Sequence, residues 1–296
     1  MIRSEFCTTK LEKFSLLTNE VQGLSEGTLL FFHATGFNAF TYNQLLELLD
    51  NKLENRFKII ALDQRGHGLT CVKASPKELT SWDYFVDDAL ELVDSIDGPI
   101  VCMGHSMGAI IAAKVASLRT GKVKKLIMIE PVLWSPFQSF KFKLLKIIPF
   151  LNTKSNSMVG GAAKRRSKFA DLEKATDSYI GKGAFSTWDR QWISDYLTGG
   201  TKPREGNGIE LTCSPAWESK TFQTASMDTW KYLKTIKVDC YVPCGDLGST
   251  FSNEARVALK KLGKNWNLEN FKGSSHFLPM EFSNALIDRI HSFVSK

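Results

Sequence analysis

Gly104-His105-Ser106-Met107-Gly108 joins a short apolar run (IVCM) to an alanine-rich stretch (AIIAAKVASL). The run reads as a buried strand and the stretch as a helix. Ser106 therefore falls on a sharp strand-to-helix turn, a strained setting that stands its hydroxyl clear of the sheet. Glycines two residues away on either side remove side chains that would collide there. The Met107 amide opens the helix, where unpaired N–H groups favour developing negative charge. A serine so placed is set up for nucleophilic attack, provided a base lies beside it.

Five histidines compete for that role: 33, 67, 105, 276 and 291. His105 lies inside the turn and cannot reach back to its neighbour. His33 and His67 adjoin glycine turns, where structural hydrogen bonds are expected, and His291 lies on a terminal helix. His276, in Gly273-Ser274-Ser275-His276-Phe277, follows the last expected strand, on the side of an α/β sheet where sites are built. Asp63, in Asp63-Gln64-Arg65-Gly66-His67-Gly68, has two open readings: a catalytic carboxylate, or an anchor that pins the turn by hydrogen bonds. Phe32–Phe37 (FHATGF) closes an earlier strand, and its turn would bring a second backbone donor near Ser106.

The elements that must position these residues can be read from periodicity. Apolar runs at 27–33, 57–63, 100–104 and 123–130 read as strands. They alternate with helical patterns over 38–53, 80–96 (Thr80 or Ser81 as N-cap) and up to Leu118. Strands alternating with helices imply a mostly parallel sheet covered on both faces, an α/β fold. The alternation stops over 132–236, which holds five of the seven tryptophans and shows no strand period, so a mainly helical insert is expected there. It resumes with a strand at 238–244, a helix near 252–262, a strand near 266–271 and a final helix from about 281. The expected division is a core of 1–131 and 237–296 carrying a cap of 132–236.

Composition narrows the functional classes. The chain has 296 residues, 43% hydrophobic and 23% charged, which excludes disorder. Its net charge of +7 is local: residues 132–236 hold 16 Lys+Arg against 9 Asp+Glu, and the rest is balanced. The run Lys164-Arg165-Arg166-Ser167-Lys168 reads as a solvated basic face, so no nucleic acid partner is expected. Six scattered cysteines without C-x-x-C, no signal peptide and no apolar span of ~20 residues point to a reducing, cytoplasmic setting.

Taken together, these motifs resemble the α/β-hydrolase superfamily, in its cap-bearing branch with a serine nucleophile. HATGF resembles the oxyanion-loop motif H-G-x-x, with Ala34 in place of the usual glycine. DQRGHG resembles D-x-R-G-x-G, GHSMGA the elbow, and SSHFLPME the catalytic-histidine loop, in family order across residues 28–282. The resemblance implies Ser106 as nucleophile, His276 as base, and the amides of Met107 and Thr35 as the oxyanion hole. No metal or organic cofactor is implied. Many members place the triad acid after the strand that follows the cap, as G-x-x-D. Here that position falls on Gly248, with Asp246 two residues early. Glu130 ends an apolar strand (VKKLIMIE) just before Pro131, where a carboxylate must be solvated or paired. Glu130 is therefore the expected acid and Asp246 the alternative.

The expected reaction is hydrolysis of a small carboxylic ester with an apolar acyl group. The same machinery would also serve lactones, amides, C–C bonds or acyl transfer. A different reading keeps the fold as a non-catalytic ligand-binding protein. Phe37, His105, Trp134, Phe140, Leu144 and Phe277 are the candidate substrate contacts. Residues 137–151 place Phe140, Leu144, Ile147, Ile148 and Leu151 on one helical face. That face suits packing on the body, a gate over the site, or transient contact with a lipid surface without stable insertion.

Overall fold

The computed structural model describes residues 1–21, 23–147 and 157–296. The chain opens with two antiparallel strands, β1 (Ile2–Cys7) and β2 (Lys13–Thr18). Neither was expected from the sequence. The side chains of β1 are half-buried or exposed at the sheet edge, so it lacks the apolar run that marks a central strand.

Strands and helices then alternate: β3 (Thr28–Phe32), α1 (Asn43–Lys52), β4 (Lys58–Leu62), α2 (Asp83–Ser95), β5 (Ile100–His105), α3 (Met107–Leu118) and β6 (Val123–Ile129). The N-cap of α2 is Trp82, not Thr80 or Ser81, although Ser81 Oγ accepts from the Asp83 amide at 3.2 Å. Next come α4 (Pro136–Ile147), α5 (Ser157–Ala163), β7 (Lys168–Phe169), α6 (Leu172–Tyr179), α7 (Arg190–Gly200), β8 (Thr201–Pro203), β9 (Ile209–Leu211), α8 (Pro215–Gln223) and α9 (Thr229–Leu233). The chain closes with β10 (Asp239–Gly245), α10 (Asn253–Lys260), β11 (Trp266–Phe271), α11 (Leu278–Glu281) and α12 (Ser283–Val294).

Eight strands form one sheet in the order β1-β2-β4-β3-β5-β6-β10-β11. From β4 through β11 every neighbouring pair is parallel, and β2 runs against its two neighbours. Alternate residues of the central strands feed two separate cores. Leu30, Phe32, Ile60 and Leu62 face one, while Leu29, Phe31, Ile59 and Ala61 face the other. Both faces are covered, as continuous apolar strands require. Among the described residues no helix is long and apolar enough to cross a membrane.

Between β6 and β10 the chain is mainly helical, with one correction to the expectation: β7, β9 and β8 form a small antiparallel sheet. Its strands are two or three residues long, too short to show a period. Polar ties fasten this segment to the helices and loops that flank the sheet. Lys114 on α3, fully buried, reaches Asp83 at 2.7 Å and Asp228 at 2.9 Å. The Trp82 indole donates to Thr221 O at 2.8 Å and the Trp217 indole to Arg65 O at 3.1 Å.

Three buried histidines beneath this region stay neutral. Burial lowers His33 to about 4 and His67 to about 3, and pushes His105 well below its usual range. Above pH 6.5 they are neutral in both folded and unfolded chains. Below it, the unfolded chain binds protons that the native chain refuses. Stability then falls by up to about 1.4 kcal/mol per pH unit for each histidine. Burial raises Asp88 to about 6 despite its Arg65 partner, and this group works in the opposite sense. The net prediction is a melting temperature that drops between pH 6.5 and 5.5. A flat or rising melting curve over that window would show that these histidines do not stay neutral.

Candidate active site

Ser106 lies between β5 and α3 with φ 59° and ψ −115°, a conformation that a non-glycine residue holds only when its surroundings enforce it. Its amide donates to Ile129 O of β6 at 3.0 Å, which fixes the turn to the neighbouring strand. Gly108, in the first turn of α3, lies so close to the carbonyl oxygens of Phe32 and His33 that a Cβ there would collide with both. The helix start is thereby pressed against the loop that follows β3.

His276 occupies the loop between β11 and α11. Its Nε2 lies 3.0 Å from Ser106 Oγ, and its Nδ1 lies 3.1 Å from Glu130 Oε2. Glu130 has no exposed surface and a φ of 43°, which turns its side chain across the end of β10. Its Oε1 accepts from the Gly245 amide at 2.7 Å and from Ser249 Oγ at 2.8 Å. Arg256 Nη2 donates to Ser249 Oγ at 2.9 Å and lies 3.9 Å from Glu130. Thr250 Oγ1 also lies 3.1 Å from His276 Nδ1. A buried carboxylate is tolerated only when its lone pairs are met in this way. Asp246 is elsewhere: it is exposed, and Oδ1 accepts from the Gly273 amide at 2.8 Å. Of the two candidate acids, only Glu130 contacts His276.

A second buried chain joins the loops around the serine. The Ala34 amide donates to Tyr42 Oη at 3.3 Å, and Tyr42 Oη lies 2.7 Å from His105 Nδ1. His105 Nε2 lies 2.8 Å from His276 O. With Nε2 carrying the proton, His105 donates to the His276 carbonyl and accepts from Tyr42, the neutral state that its burial favours. The side chains of Thr35 and Met107 touch, Oγ1 to Sδ 3.3 Å, so the two expected oxyanion donors belong to adjoining residues. Asp63 is anchored in its turn, fully buried, accepting from the Ala39 and Leu69 amides at 2.7 and 2.9 Å and pairing with Arg3 at 2.7 Å.

Ser106 and His276 open onto a cavity of about 650 Å³. Thr35, Phe37, Trp134 and Phe277 border it, and its wall is mostly apolar. Phe37 stacks edge-on against Trp188 at 5.2 Å and Tyr196 at 5.7 Å, so it also seals the inserted segment onto the sheet. Three expected contacts need correction. His105 faces Tyr42 and the His276 carbonyl and does not border the cavity. Phe140 and Leu144 are 63% and 46% exposed and point away from it. The reason is the rotation of α4: Ser139 and Phe142 face inward, with Phe142 against Trp134 at 5.6 Å, which turns the 137/140/144 stripe outward. Ile148 and Leu151 lie outside the described residues, and the side chain of Ile147 is likewise not described.

Sequence reasoning missed Tyr42, Ser249, Thr250, Arg165 and Glu218. Tyr42 ends a 3-10 turn at the start of α1 and Ser249 lies in a loop, both of ordinary composition and without a local signal. Arg165 belongs to a basic run whose composition suggests a solvated face. Its neighbours Lys164, Arg166 and Lys168 are exposed, while Arg165 turns inward to border the cavity and Glu218.

The parallel sheet, the elbow after its fifth strand and the histidine loop after its last define an α/β-hydrolase fold. The family model for serine aminopeptidase, S33 matches residues 24–186, more than half of the chain, and the chain belongs to that family of hydrolases. A 2-(acetamidomethylene)succinate hydrolase of Mesorhizobium japonicum is 21% identical over 297 residues, covering 99% of this chain and 97% of that one. The monoglyceride lipase of Homo sapiens is 29% identical over 129 residues, 42% of this chain and 41% of the lipase. The crystal structure of E-2-(acetamidomethylene)succinate hydrolase matches with a TM-score of 0.78 at 19% identity, covering 100% of this chain and 99% of that one.

The Tyr42 hydroxyl offers a direct check on the buried chain. Tyr42→Phe leaves the Ala34 amide and His105 Nδ1 without partners, at an expected cost of roughly 1–3 kcal/mol in unfolding free energy. Urea unfolding of the two proteins measures the difference. An unchanged stability would mean that the hydroxyl does not bridge these loops.

Proposed function

We propose that the protein hydrolyses carboxylic esters through an acyl-enzyme intermediate, with Ser106 as nucleophile, His276 as general base and Glu130 as the acid that orients it. The observation that supports this reading is the continuous hydrogen-bonded chain Ser106–His276–Glu130, opening onto a largely apolar cavity. Ser106 attacks the ester carbonyl while His276 Nε2 takes its proton. The amides of Met107 and Thr35 receive the oxyanion, each worth roughly 3–4 kcal/mol in sites of this kind. The imidazolium returns the proton to the departing alcohol. Water, deprotonated by the same nitrogen, then releases the acid. Glu130 stabilises the imidazolium and holds the ring in the tautomer with the proton on Nδ1.

Within this reading, residues 132–236 act as a cap that roofs the cavity and sets which acyl groups fit. Phe37, Trp134 and Phe277 are the proposed apolar substrate contacts. The outward Phe137–Phe140–Leu144 face of α4 sits beside Lys141 and Lys143, a composition that suits transient lipid contact better than gating.

Two comparisons test the assignment with an ester panel that also contains lactones and amides. Ser106→Ala should bring ester turnover to background with the fold retained, because the elbow accepts a small residue. Glu130→Gln should lower kcat by roughly 10²–10⁴, since the wrong His276 tautomer is then favoured, while Asp246→Asn should change it little. Turnover that survives Ser106→Ala would remove the nucleophile, and a larger loss in Asp246→Asn would move the acid. Lactones or amides turned over far faster than esters would change the substrate class and leave the machinery in place.

A further inference from the structure

An ion pair lies in the cavity wall. Arg165, just beyond α5, donates from Nη1 to Glu218 Oε1 of α8 at 3.2 Å, and the two side chains are 17% and 8% exposed. The pair is incompletely satisfied. Among the described residues Arg165 Nε and Nη2 have no acceptor and Glu218 Oε2 has no donor, and all three atoms are closed to solvent. Burial raises the Glu218 carboxyl against the pull of Arg165. A guanidinium held in an apolar wall with two empty donors is costly, and such a site is retained where something else completes it.

The identity of the empty atoms says what that partner is. Glu218 occupies the outer amine Nη1. Nε and Nη2 form the opposite edge of the guanidinium, the edge that grips a carboxylate through two parallel N–H···O bonds. An ammonium is disfavoured, because Lys182 also borders the cavity and the cations there outnumber Glu218. Glu218 itself is fixed from behind. Its carboxylate abuts Gly36 of the loop after β3 so tightly that a Cβ on Gly36 would collide with it. The pair is therefore braced against the same loop that bears Thr35. Presenting the free edge to a ligand takes a side-chain adjustment of the kind that binding commonly brings.

We propose that Arg165 recognises a carboxylate carried by the substrate, so that the substrates of this site are esters with a free acid group. Glu218 acts as a positioning residue that holds the guanidinium by its other amine. This rests on the reading of Ser106 and His276 as ester-hydrolysing groups.

The test compares ethyl hydrogen glutarate, adipate and pimelate with the ethyl esters of the corresponding neutral straight-chain acids, measured as ethanol released. The readout is the ratio of kcat/KM for the acidic ester over the neutral one within each protein, so that a general loss from altered packing cancels. The wild-type ratio should reach about tenfold or more for at least one chain length. In Arg165→Met it should collapse to near one, and in Arg165→Lys, which keeps a point charge without the fork, it should fall in between. A wild-type ratio at or below one would overturn the proposal, as would a preference that survives in Arg165→Met. If Arg165→Met does not fold, an undiminished ratio in Arg165→Lys would overturn the two-bond fork. Failure of the underlying reading looks different: neither kind of ester is turned over.

Discussion

A carboxylate with no access to water, placed at the end of a parallel strand, constrains everything around it. A carboxylate buried there, Glu130, is tolerated only when its lone pairs are met, and the structure meets them from three directions. The Gly245 amide ends β10, Ser249 comes from the loop beyond it, and His276 comes from the loop after β11. Each donor lies more than 110 residues away along the chain, so the pairing forms only when β6, β10 and β11 have assembled in register. The half-buried His276 ring faces Glu130 Oε2 and Thr250 Oγ1 through the same nitrogen, Nδ1.

The serine side of the site depends on a second constraint, the close approach of α3 to the end of β3. It presses Met107 against Thr35 and places Ser106 at the tip of a strained turn. Tyr42 and His105 then carry hydrogen bonding from the loop after β3 to the His276 carbonyl. The histidine is held twice, through its ring by Glu130 and through its backbone by His105. The aromatic layer around Phe37 closes the remaining gap between the sheet and the inserted segment. The result is a largely apolar cavity whose wall also carries the Arg165–Glu218 ion pair.

How much of this was legible depends on whether the signal was local. The elbow is written in five consecutive residues, and the central strands in continuous apolar runs. Glu130 stood out because a carboxylate ending such a run needs a partner. The edge strand β1 and the small sheet of β7, β8 and β9 were not readable, since half-exposed or very short strands carry no period. Phe140 and Leu144 misled because periodicity shows that an apolar face exists and not which way it turns. Trp134 and Phe142 decide that here, by anchoring the other side of α4. Arg165 was hidden for the opposite reason. In a run of basic residues, only tertiary packing distinguishes the one that is buried.

The central claim is that Ser106 is an activated nucleophile, and its reactivity can be measured without knowing the physiological substrate. Folded protein is treated with a fluorophosphonate, followed by intact-mass analysis and peptide mapping over time. The account predicts a single adduct, on Ser106, forming at a rate that falls by orders of magnitude in Glu130→Gln and vanishing in heat-unfolded protein. No adduct on the folded chain, or labelling of equal rate in Ser106→Ala, would contradict it.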